Sequence, residues 1–152
     1  MKFVVNTNMV FSAILNTETR IGDLLMNSSD IFEFFTGQSL RQEIHKYRER
    51  LMSISGLTED EFENARNFIF SKIIFITEEQ IPFECWHNAL PLVREVDMDD
   101  IAFVALNMHM DALLWTGDKR LLNHLRQQKG YEKCINSAEL YSLREKLRQS
   151  PG

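Results

Sequence analysis

The chain has 152 residues, 44% of them hydrophobic and 26% charged, which suits one soluble globular domain with a substantial core and excludes a disordered chain. A net charge of -5 excludes a surface that attracts nucleic acid as a whole, so any polynucleotide contact needs a local basic rim. No apolar run is long enough to cross a bilayer and no charged segment followed by an apolar stretch opens the chain, so the cytoplasm is the expected compartment.

The first apolar run, Phe3 to Val5, stops at Asn6, and small polar residues follow. This reads as a buried parallel strand that delivers a polar side chain to the carboxyl edge of a sheet, where open α/β folds place ligands. Val10 to Leu15 is helix-compatible, Thr17 to Arg20 interrupts it, and Ile21 to Met26 resumes the helical pattern. After the turn cluster Asn27-Ser28-Ser29-Asp30, Ile31 to Phe35 is aromatic and β-branched and is predicted as the second strand, closed by Thr36-Gly37.

A helix is predicted over 39–52, with Leu40, Ile44, Tyr47 and Leu51 as its buried stripe. Glu43 lies on the border of that stripe and can face a cleft, whereas Glu49 falls on the opposite, solvated face. Thr58-Glu59-Asp60-Glu61 has the form of a capping box that starts a helix carrying Phe62, Ala65, Ile69 and Phe70 inward. Ile73 to Thr77 reads as a third strand. A helix over much of Pro82 to Val93 is weakened at its end by Pro91.

The acids Glu95, Asp97, Asp99 and Asp100 precede a helix on which Ile101, Val104, Ala105 and Met108 share a face. Ala112 to Trp115 is a fourth strand, and Thr116-Gly117-Asp118 marks its carboxyl end. Lys119 to Gln128 is helical, Lys133 to Asn136 a short last strand, and Ser137 to about Leu147 a closing helix. Alternating strands and helices predict an α/β fold with a mainly parallel sheet. One domain is expected over 1–148, with 149–152 as a frayed tail.

Several chemistries lack their motifs. The chain has no phosphate loop of the G-x-x-x-x-G-K-[ST] type, no G-x-G-x-x-G and no G-x-S-x-G turn. His45, His87, His109 and His124 show no H-E-x-x-H spacing, and Cys85 and Cys134 form no C-x-x-C. The two cysteines read as reduced, mostly buried thiols.

What remains is oxygen chemistry. Asn6 ends the first strand, Asp118 ends the fourth, Asp100 opens the helix between, and Glu43 sits one turn into the helix after the second strand. In a parallel sheet these positions share one edge. Converging carboxylates repel unless a cation neutralises them, and a hard Mg²⁺ or Mn²⁺ ion is the natural occupant. Each residue also has an ordinary reading: Asp99 or Asp97 as a helix cap, Asp118 as the cap of the helix from Lys119, Glu43 as a flanking helix charge, Asn6 and Asn8 as turn residues.

Three blocks carry a resemblance across nearly the whole chain. Lys2-Phe3-Val4-Val5-Asn6-Thr7-Asn8, Asp97 to Leu106, and Leu114-Trp115-Thr116-Gly117-Asp118-Lys119-Arg120-Leu121 resemble the opening strand, the acid-led helix and the final acidic motif of PIN-domain nucleases. The resemblance implies a single three-layer PIN-like domain and a metal-dependent endoribonuclease, often a toxin of the VapC type. By position, Glu43, Asp100 and Asp118 match the family's acidic site for Mg²⁺ or Mn²⁺, with Asp99 as an extra ligand. Thr7 and Asn8 support the first position, and Thr116 orients the site. Lys119 and Arg120 are candidate phosphate contacts, with ordinary surface charge an equally good account. The implied partners are an RNA substrate, a cognate antitoxin and a second copy of the chain.

The departure is Asn6, where the family has its first aspartate. At about 4 Å and an effective dielectric near 20, a unit-charge pair is worth roughly 4 kcal/mol, and a divalent ion feels about twice that before desolvation. Losing that charge weakens metal binding, so catalysis is expected to be impaired. A catalytically inactive module that binds RNA or protein is the alternative this raises. A haloacid-dehalogenase-type phosphotransferase is a third reading, less favoured because Asp100 precedes a helix and Thr116-Gly117-Asp118 follows a strand.

Overall fold

The computed structural model describes residues 1–149. Its strands are β1 (Lys2–Val5), β2 (Glu33–Gly37), β3 (Ile73–Ile76), β4 (Leu113–Trp115) and β5 (Cys134–Ile135). They form one sheet in the order β3-β2-β1-β4-β5, and every neighbouring pair is parallel. The helices are α1 (Thr7–Leu15), α2 (Arg20–Met26), α3 (Ser39–Lys46), α4 (Arg48–Ser55), α5 (Glu59–Phe70), α6 (Phe83–Val93), α7 (Ile101–Met110), α8 (Lys119–Asn123) and α9 (Ser137–Gln149).

The central strand shows why both faces of the sheet are covered. Side chains alternate across a strand, and β1 is apolar at every inner position. Phe3 and Val5 join a core with residues of α1, α2, α4, α5 and α9. Val4 joins a second core with residues of α6, α7 and α8. The result is the expected α/β sandwich of helix, parallel sheet and helix.

Several boundaries differ from the sequence reading, each for a local reason. The second strand starts at Glu33 because the amides of Ile31 and Phe32 both donate to the Ser28 carbonyl and stay out of the ladder. It runs through Thr36 and Gly37, which pair with Phe75 and Ile76. The helix predicted over 39–52 is two helices that meet at Tyr47, whose φ of -100° and ψ of 12° depart from helical values. The second of these runs on to Ser55 and ends at Gly56, which takes the left-handed conformation (φ 72°) that glycine adopts without a Cβ penalty.

Farther along, the helix predicted from Lys119 to Gln128 keeps α geometry only to Asn123 and then widens into a π-type turn, His124–Gln128. The last strand is shorter than Lys133 to Asn136 because only Cys134 and Ile135 pair with β4. Part of the expected tail, Gln149, is the last residue of α9, and 150–152 lie outside the described residues.

Two features fix the helical layers. The capping box is formed: the Glu61 amide donates to Thr58 Oγ1 at 3.2 Å, and the Thr58 amide donates to Glu61 Oε1 at 2.9 Å. Arg144 of α9 is 3% exposed and reaches α2, donating to the Asp23 carboxylate and, at 3.0 Å, to Ser28 Oγ. Among the described residues no helix is long and apolar enough to cross a membrane.

Candidate metal centre at the carboxyl edge of the sheet

The sheet grows from β1 outward to β2 and β3 on one side, and through β4 and β5 on the other. The crevice of such a sheet opens where that order reverses, beyond the carboxyl ends of β1 and β4. Val5 pairs with Trp115, so the next residues on the two strands, Asn6 and Thr116, stand side by side at the crevice. The Asn6 amide N–H extends the ladder by donating to the Trp115 carbonyl at 3.2 Å.

Asn6 performs two tasks. Its Oδ1 accepts from the Asn8 amide at 3.3 Å and caps α1, which is why that helix begins at Thr7 rather than Val10. Its Nδ2 lies 3.4 Å from Asp100 Oδ1 and 3.4 Å from Thr116 Oγ1, facing both as a donor. Thr116 Oγ1 also accepts from the Asp118 amide at 3.1 Å. One buried hydroxyl thereby links the ends of β1 and β4 and the start of α8.

The carboxylates arrive from separate elements. Asp97 starts a tight helical turn, Met98–Asp100, by accepting from the Asp99 amide at 2.9 Å. That turn buries Asp100, which is 8% exposed at the mouth of α7. Asp118 Oδ1 accepts from the Leu121 amide at 3.1 Å and caps α8. The capping readings of Asp97 and Asp118 are therefore correct, and capping leaves Asp118 its second oxygen. Burial, then the charge of Asp97 and those of Asp118 and Asp99, push the Asp100 carboxyl up to about 6; the Asn6 amide opposes this by favouring the charged form.

These groups line a cleft of about 700 Å³. Asn6, Thr7, Asn8, Glu43, Asp99, Asp100 and Asp118 all face it, so the sequence-predicted positions are brought to one place. Thr116 lies beneath, fully buried. Glu43 is half-buried on α3, and Glu49 is exposed on α4 outside the cleft. Lys119 and Arg120 are exposed on α8 and do not line the cleft. Sequence reasoning missed other parts of the lining: Phe11 of α1, Lys46 of α3, Arg50 and Ile54 of α4, and Phe103 of α7, and it placed Tyr47 only in the buried stripe. A signal for part of it exists. Glu43, Lys46, Arg50 and Ile54 run along the same border of the stripe that Leu40, Ile44, Tyr47 and Leu51 define.

The donor chemistry suits a hard divalent cation in kind. Oxygen ligands dominate, Asp100 is held in a field of like charge that a cation relieves, and the buried Thr7 Oγ1 has no hydrogen-bond partner. Among the described residues no three of His, Cys, Asp and Glu come together to hold a metal ion, so an ion here would have at most two of these side chains as ligands and would complete its shell with water. At position 6 the group turned toward Asp100 is an N–H donor, which does not ligate.

Comparison with known proteins agrees with this architecture. No curated protein sequence matches the chain significantly. Among solved structures the chain is similar to the crystal structure of VapBC2 from Rickettsia felis bound to a DNA fragment from their promoter, with a TM-score of 0.62 and 12% sequence identity. That alignment covers 90% of this chain and 97% of the other, and it shows a shared fold. Among protein families the PIN domain matches residues 4–134, nearly the whole of the sheet and both helical layers. The chain belongs to the PIN domain family.

Proposed function

We propose that this chain is a PIN-type ribonuclease of the toxin class whose hydrolytic step is weakened by Asn6. The observation that carries the reading is the meeting of Asn6, Asp100, Thr116 and Asp118 at the switch point of a parallel sheet, inside a cleft lined by further carboxylates. Asp100 and Asp118 are the carboxylates that would hold a Mg²⁺ or Mn²⁺ ion, with Glu43 and Asp99 at the rim. When bound, such an ion supplies Lewis acidity toward a phosphodiester and lowers the pKa of its water.

The chain's own residues do the rest. Thr116 fixes the spacing between position 6 and Asp118. Asn8 holds the Asn6 side chain in register. Buried Asp100 supplies the negative charge nearest the crevice floor. A small antitoxin is the proposed partner, by analogy with the VapBC2 pair named for the structural neighbour, and a second copy of the chain is a further proposed partner. Restoring a carboxylate by Asn6→Asp is expected to raise Mn²⁺-dependent cleavage of RNA at least tenfold. Equal cleavage by the two forms would remove position 6 from the mechanism.

A second reading, a non-catalytic module that keeps the fold and binds RNA or protein, is favoured by one observation. The Asn6 amide already donates to Asp100, and so supplies from within the chain part of the stabilisation a cation would give. An Asn6→Asp variant that neither binds Mn²⁺ nor cleaves RNA would support this second reading over the first.

A further inference from the structure

The side of the cleft formed by α3 and α4 differs from its floor in kind. Lys46 and Arg50 face the cleft from α3 and α4, both are exposed, and among the described residues neither takes part in an ion pair. Their neighbour Arg48 shows the contrast: it points away and is held by Glu59 and Glu63 at 3.0 and 2.9 Å. Tyr47 stands between the two cations. Its ring packs edge-on against Phe11 with centroids 5.9 Å apart, and Lys46 Nζ lies 5.3 Å from its centre. The cleft is thus amphoteric: carboxylates gather at the mouths of α7 and α8 with Glu43 on α3, and the cations Lys46 and Arg50 flank Tyr47, whose ring meets Phe11 of α1.

An acidic floor repels phosphate, so a polyanion entering the cleft is pushed toward whatever cations face it. Alternating cation and aromatic ring is the chemistry that grips single strands, by phosphate contact and base stacking, and a duplex offers no free base faces to such a ring. We infer that Lys46, Tyr47 and Arg50 form a binding lip for single-stranded RNA, with Tyr47 stacking a base between two phosphate contacts. The inference rests on the ribonucleic-acid reading of the cleft and deepens it. The lip fixes where the strand lies and leaves one phosphate to approach the floor. These are positioning residues, and α8, with Lys119 and Arg120, plays no part in holding the strand.

The test is the binding of a short fluorescein-labelled oligouridylate in EDTA, followed by anisotropy at several salt concentrations. The double variant Lys46→Ala/Arg50→Ala changes exposed side chains only; it is expected to bind about tenfold more weakly and to lower the salt slope by roughly 1.4, the loss of two single-strand phosphate contacts. Tyr47→Phe should bind as the unchanged protein does, whereas Tyr47→Leu, which keeps an apolar side chain in the site, should lose affinity. Lys119→Ala/Arg120→Ala should bind normally. Unchanged binding by the Lys46/Arg50 variant, or loss confined to the Lys119/Arg120 variant, overturns the lip while leaving an RNA-binding function in place. Failure of the unchanged protein to bind the oligonucleotide at any salt concentration overturns the ribonucleic-acid reading itself.

Discussion

Asn6 and Asp100 show how two buried polar side chains settle a conflict of charge. Asp100 is crowded by burial and by Asp97, Asp118 and Asp99, and the Asn6 amide is the group that relieves it. The raised carboxyl has a direct consequence for stability. Between its ordinary value of 3.8 and about 6, the unfolded chain releases the proton while the folded chain retains it, so the fold loses stability as pH rises through that window. Asp100→Asn is therefore expected to stabilise the protein by about 1–2 kcal/mol near neutral pH, after discounting for solvent at the cleft. The gain should disappear toward pH 4, roughly the ordinary value of the free carboxyl, as urea denaturation at the two pH values would show. The opposite exchange, Asn6→Asp, sets a second carboxylate against Asp100. Without divalent ions it should lower the melting temperature, and Mn²⁺ should restore it, because an ion that binds only the folded form stabilises it by mass action. A melting temperature insensitive to Mn²⁺ would show that no ion bridges the pair. The positions of this site were legible in the sequence because strand ends and helix starts share an edge. The direction of the Asn6 amide was not, since it depends on Asn8, Thr116 and Asp100 meeting in space.

At the scale of elements, local chemistry decided most of the boundaries. The capping box of α5 was readable from Thr58 and Glu61 alone, and both of its hydrogen bonds form. Thr58→Ala is expected to cost about 1 kcal/mol, read from the shift of the urea midpoint. The start of α1 was harder to see, since Asn6 looked like the end of a strand and serves as a cap as well. The division of α3 from α4 at Tyr47 had no signal, because Tyr47 continues the apolar period of both helices and neither glycine nor proline marks the break. The clamp between α9 and α2 could not be read either, because Arg144 and Asp23 are far apart in the chain and meet only when both helices cover the same face. The hydrogen bond from Arg144, followed by that from Asn27, holds the Asp23 carboxyl below 3.8. A depressed carboxyl gives stability that is present above its ordinary value and lost as pH falls below it. Arg144→Met should cost about 2 kcal/mol near neutral pH, reduced from the fully buried case because Asp23 is partly exposed. The deficit should narrow in acid, where Asp23 is protonated in both proteins.

For the molecule as a whole, the alternation of strands and helices announced a parallel α/β sheet, and the buried pattern of β1 requires helices on both faces. The order of the strands was not legible, yet that order creates the site: placing β4 beside β1 brings Thr116 and Asp118 to Asn6. The acidic composition of the chain also takes on a local meaning. Asp97, Asp99, Asp100 and Asp118 gather around the mouths of α7 and α8, and among the described residues the cations lining the cleft, Lys46 and Arg50, stand on α3 and α4 beside Glu43. On the proposed function, position 6 controls whether this acidic crevice holds a divalent ion. The decisive experiment is titration calorimetry of Mn²⁺ into the protein and into Asn6→Asp. The expected result is one site in the variant, bound at least tenfold more tightly than in the unchanged chain, a difference of about 1.4 kcal/mol or more. Equal affinity in the two proteins, or tight binding that needs no carboxylate at position 6, would contradict it.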